Sequence, residues 1–107
     1  MGDCYNKDES FIEIAEELLE HLKENHNSES TAIKSGAICE LYSIHKEKVR
    51  AVVNYLRSIS CPVCSSSRGY WYSEKPEDIA KTLNHLEGRI SGMNRAITGL
   101  KRINTGV

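Results

Sequence analysis

The stretch Ser35–Leu56, SGAICELYSIHKEKVRAVVNYL, decides the fold. Ser35 is a good helix cap, and Ile38, Cys39 and Leu41 follow at positions suited to one inward face, predicting a helix that runs to about Tyr42. Ser43-Ile44-His45 breaks the rhythm. A further helix is predicted from about Lys46 to Ser58, burying Val49, Val52 or Val53, and Leu56. Two helices of these lengths joined by so short a turn form a helix-turn-helix.

Just downstream, Pro62 rules out continued helix and suits the start of a strand. Pro62-Val63-Cys64-Ser65 and Tyr70-Trp71-Tyr72-Ser73 have strand-like composition. Between them lies Ser66-Ser67-Arg68-Gly69, whose glycine can supply the positive φ of a tight hairpin. A hairpin directly after the second helix of such a pair is a wing. Alternation along Tyr70, Trp71 and Tyr72 turns one face to the core and the other to solvent or a partner, and packing is favoured over base stacking.

Upstream, Ser10 and Glu13 read as a capping box opening a helix. Phe11, Ile14, Ala15, Leu18 and Leu22 share its inner face, with Glu13, Glu16, Glu17 and Glu20 outside. That helix should fade at Asn25–Ser28, and Thr31-Ala32-Ile33 is short and partly β-branched enough for a small strand. Downstream, Pro76 opens a last helix, with Glu77 and Asp78 complementing its N-terminal dipole. Ile79, Leu83, Leu86, Ile90, Met93, Ile97 and Leu100 then recur in steps of four and three, a coiled-coil rhythm. Gly88, Gly92 and Gly99 weaken this helix by about 1 kcal/mol each relative to Ala, yet admit close helix approach.

The expected fold is therefore mainly α with a small β-hairpin: a winged helix-turn-helix plus a long C-terminal helix. Its parts are a flexible tail (1–9), the winged domain (10–75) and a dimerisation helix (76–107). A chain of 107 residues suits one modest core. The net charge of -1 conceals a strong asymmetry. Residues 1–30 carry nine acidic and two basic side chains; residues 34–75 carry seven basic and three acidic ones. The middle of the chain thus has a basic working surface. No apolar run approaches the roughly 20 residues that span a bilayer, and the N-terminal residues lack a secretion-signal layout, so a cytoplasmic protein with no membrane partner is expected.

The Ser35–Leu56 stretch resembles the helix-turn-helix of bacterial and phage DNA-binding proteins. Cys39 stands at the small position within the first helix of the pair, Ile44 closes the turn, and Val49, Val53 and Leu56 match buried positions of the recognition helix. Ser43 departs from the glycine often found in that turn. The continuation CPVCSSSRGYWYSEKPEDI resembles the wing and following helix of small winged-helix proteins encoded by phages and prophages of Gram-positive bacteria. The resemblance covers roughly residues 11–103 and implies a sequence-specific, double-stranded DNA-binding regulator of transcription.

A recognition helix reads base edges in the major groove through long polar side chains near its N-terminus. The expected outward set is His45, Lys46, Lys48, Arg50, Asn54 and Arg57. Arg50 suits the paired acceptors of guanine and Asn54 those of adenine, while Lys46, Lys48 and Arg57 suit phosphates. Ser66, Ser67 and Arg68 at the wing tip add phosphate or minor-groove contacts. The seam from Ile79 to Leu100 is expected to make a homodimer, because it outlasts what so small a domain can cover. A charged outer face can also serve only to keep a helix in water; the wing, the turn and the charge contrast favour DNA. A different class of function remains open: a protein-interaction module, acting as a replication adaptor or an inhibitor of a host enzyme.

Other signals are weaker. Cys61-Pro62-Val63-Cys64 is a lone CxxC without the second pair that structural zinc uses, so no metal is expected and the cysteines, Cys4 and Cys39 included, are expected as thiols. His21, His26, His45 and His85 are scattered, and no nucleophile–base pair, phosphate-cradling glycine loop or carboxylate dyad is legible. No enzymatic activity and no cofactor are expected.

Overall fold

The computed structural model describes residues 9–105. Five helical segments and one hairpin follow in the order α1 (Glu9–Asn25), a 3-10 turn (Glu29–Thr31), α2 (Ser35–Tyr42), α3 (Lys46–Ser58), β1 (Val63–Ser66), β2 (Gly69–Tyr72) and α4 (Pro76–Thr105). The fold is mainly helical with a small antiparallel two-stranded hairpin. The expected tail at 1–9, with Cys4, lies outside the described residues apart from the helical Glu9.

The core forms where three helices meet. Phe11, Ala15, Leu18 and Leu22 of α1 are fully buried against Ile38 of α2 and Val49, Val52, Val53 and Leu56 of α3. Each of these side chains except Ala15 contributes about 1.5–3 kcal/mol on leaving water. The choice left open between Val52 and Val53 resolves to both. Phe11 and Tyr55 meet edge-to-face with ring centroids 5.7 Å apart.

Three boundaries differ from expectation at the N-terminal side. Ser10 already lies within α1, so it does not cap that helix. Thr31 ends a 3-10 turn rather than starting a strand, and only Ile33 pairs, through a single bridge to Tyr70. Ser35 likewise begins α2, with Lys34 in the extended capping position. Leu41, expected inside, is 53% exposed; Tyr42 is the half-buried residue that packs on the core in its place. An eight-residue helix offers just over two turns, too few for spacing alone to fix which face is inward.

The α2–α3 turn is tight. Ser43 adopts left-handed backbone angles, φ 54° and ψ 51°, taking the conformation that glycine usually supplies at a helix C-cap. The Ile44 amide donates to the Cys39 carbonyl at 3.1 Å, closing the turn, and Ile44 packs on the core.

The hairpin pairs Val63 with Tyr72, Cys64 with Trp71, Ser65 with Tyr70 and Ser66 with Gly69. Gly69 takes φ +126°, and a Cβ there would stand 2.3 Å from the Ile33 carbonyl oxygen. Only glycine fits. Alternation sends Val63, Tyr70 and Tyr72 to the helical core, while Trp71 is fully buried on the opposite face. There its indole Nε1 donates to Asp78 Oδ2 at 3.4 Å, in the first turn of α4. Both faces of the hairpin are thus covered, where the sequence left one for solvent or a partner.

Candidate nucleic-acid interface

α4 begins at a built junction. Ser73 Oγ donates to Asp78 Oδ2 at 2.6 Å and accepts from the Lys75 amide at 3.1 Å. The Ser73 hydroxyl, then the Trp71 indole, hold the Asp78 carboxyl below its ordinary range. Thr82 Oγ1 accepts from the Ser65 amide at 3.2 Å, pinning α4 to the edge of β1. These contacts direct α4 back past α3.

The apolar row on α4 consequently divides. Ile79 and Leu86 are half-buried and, with Leu83, border a recess of about 330 Å³ beside Cys61, Pro62 and Cys64. Part of the surface of Ile79 and Leu86 is therefore covered within the chain. Ile90, Met93, Ile97 and Leu100 stay exposed, as does Ile103, which the heptad count omitted.

Between α3 and α4 lies an open groove of about 320 Å³. Arg50, Val53, Asn54 and Arg57 form its α3 side; Leu86, Arg89, Ile90 and Met93 form the α4 side; Ser65 and Tyr70 of the hairpin form its floor. Three guanidinium groups line it and no carboxylate does.

The expected contact residues separate into three groups. His45, Lys46, Arg50 and Asn54 are exposed along the outer side of α3, and Lys48 is half-buried beside them. Arg57 is engaged instead with the hairpin: Nε donates to the Val63 carbonyl at 2.7 Å and Nη2 to Ser65 Oγ at 3.0 Å. Burial pushes its guanidinium pKa down from the usual arginine range. It braces the hairpin on α3, a role the sequence did not reveal because one acceptor is a backbone oxygen. At the tip, Ser67 and Arg68 are exposed, while Ser66 belongs to β1 and its Oγ accepts from the Arg68 amide at 3.1 Å.

Two lysines missed by sequence reasoning bear on the tip. Lys34 Nζ donates to the Ser67 carbonyl at 2.9 Å. Lys81 Nζ forms an ion pair with Glu29 at 2.9 Å. The Lys81 ammonium, followed by the Ser66 hydroxyl, holds the Glu29 carboxyl below its ordinary value. Arg89 was missed as well. It lies outside the heptad positions, and only the course of α4 brings it to the groove.

Elsewhere, Glu13, Glu16, Glu17 and Glu20 form an exposed acidic face on α1. Among the described residues, no group of three or more His, Cys, Asp or Glu side chains is placed to hold a metal, and no helix is long and apolar enough to cross a membrane. Burial pushes the Cys64 thiol pKa up, and Cys39, Cys61 and Cys64 are free thiols. His21 and His26 touch, with their Nε2 atoms 3.2 Å apart, a local pairing across a helix end that spacing did not suggest.

No family model matches the chain, and no curated protein or solved structure is significantly similar to it.

Proposed function

We propose that this chain is a winged helix-turn-helix protein that binds double-stranded DNA, acts as a dimer without catalysis, and serves as a regulator of the phage and prophage type. One observation carries the reading: α3 presents His45, Lys46, Arg50 and Asn54 outward with no acidic side chain paired to them among the described residues, while the hairpin tip carries exposed Arg68. A helix so furnished fits the major groove, and cations in excess of local anions favour a polyanionic partner. The carboxylates of α1 stand on a separate helix face, where they need not oppose a duplex.

On this reading Arg50 and Asn54 address base edges, and Lys46 and Lys48 address phosphates. Arg68 and Ser67 meet the neighbouring backbone or minor groove. The exposed row from Ile90 to Leu100 pairs with the same row of a second copy, since large apolar side chains in series seldom stay in water.

Binding to random duplex DNA at two salt concentrations tests the proposal. A DNA binder weakens as salt rises, through counterion release. Absence of binding at low salt would leave the protein-interaction module as the better account.

A further inference from the structure

We propose that the groove between α3 and α4 is a phosphate seat in which Arg89 and Arg57 Nη1 close on one oxyanion, a backbone phosphate of the bound duplex, with Arg50 beside them at the mouth of the groove. This inference rests on the DNA-binding reading for the source of the phosphate, though not for the seat itself.

Three guanidinium groups share one small groove whose lining includes no carboxylate. Among the described residues, neither Arg50 nor Arg89 has a hydrogen-bond or ion-pair partner. Arg57 is fixed by Val63 and Ser65 through Nε and Nη2, which leaves Nη1 available. Arg89 lies close enough to Arg57 for its charge to oppose that of its neighbour. Like charges gathered without an anion repel, so a bound anion relieves the groove.

The ligand chemistry follows from the donors. Guanidinium forks match the tetrahedral oxygens of phosphate in pairs, where lysine offers only a point charge. The hydroxyls of Ser65 and Tyr70 add neutral donors of the kind that contact phosphate and sugar. With α3 in a major groove, a strand of backbone runs beside it, and α4 reaches that strand through Arg89.

The test follows the arginine Nε–Hε NMR resonances of the full chain, alone and with inorganic pyrophosphate. Arg89→Gln is compared with Arg95→Gln, which lies on α4 away from the groove. Pyrophosphate is expected to move the Arg50, Arg57 and Arg89 resonances, and Arg89→Gln to weaken the effect about tenfold, as loss of a charged hydrogen bond does. A second arm measures binding of a short random duplex against salt. Arg89→Gln is expected to flatten the slope of log K on log salt by about 0.9, one phosphate contact, with Arg95→Gln unchanged.

Pyrophosphate that leaves these three resonances still, or moves every arginine equally, overturns the seat even if duplex binds. Pyrophosphate seated without any duplex binding keeps the seat, assigns it to a free phosphate compound, and rejects the DNA reading. Duplex binding with an unchanged Arg89→Gln slope keeps the DNA reading and overturns the backbone contact.

Discussion

Arg57 Nε donates to the backbone carbonyl of Val63 at 2.7 Å, tying the last turn of α3 to the first strand of the hairpin. Side chains from the two elements therefore keep a fixed spacing. A helix and a hairpin that address one duplex together need that constancy.

Arg57→Ala is expected to cost about 2–3 kcal/mol, since it removes charge-assisted bonds to Val63 and Ser65. Urea unfolding checks this. An unaltered midpoint would mean that the arginine does not brace the hairpin.

Ser43 is a second determinant of the site, because its left-handed backbone sets the angle between α2 and α3. Ser43→Gly is expected to stabilise the fold by about 0.5–1 kcal/mol, the relief of αL strain exceeding the added entropy of the unfolded chain. Ser43→Val is expected to destabilise it, for a β-branched residue resists φ 54°. Thermal melts of the two variants should move in opposite directions.

The α4 junction predicts an acid sensitivity. Asp78 has a folded pKa depressed by the Ser73 hydroxyl and the Trp71 indole, so its contribution is present above its ordinary pKa of 3.8 and is lost as pH falls through the lower folded value. Stability should decline across that window. Ser73→Ala should shrink the decline, and equal acid profiles for the two proteins would exclude the contact as its cause.

The exposed α4 row makes oligomeric state a direct readout. Leu100 is 66% exposed, so Leu100→Asp should not disturb the fold of one chain. By light scattering the parent chain is expected at twice 12.0 kDa and the variant at 12.0 kDa. A parent monomer would rule out pairing through this row.

Much of this architecture was legible because it rests on local rules. The bounds of α3, Lys46–Ser58, follow from the Val49–Leu56 stripe, and the hairpin follows from Pro62 and Gly69. The arrangement of the site was not legible to the same degree. Arg57 seeks partners across the hairpin, and Arg89 reaches the groove only because Ser73, Asp78 and Thr82 aim α4 past α3. Leu41 was misplaced because a two-turn helix gives hydrophobic spacing little leverage. Periodicity reports which face is apolar; it does not say which neighbour arrives to cover it.

The most direct test maps amide chemical-shift changes across the whole chain on adding a short duplex at low salt. Changes concentrated at His45–Asn54 and at Ser67–Arg68, with the acidic face of α1 quiet, are expected if α3 enters the groove. A silent α3, or changes confined to α1, would contradict the proposed interface.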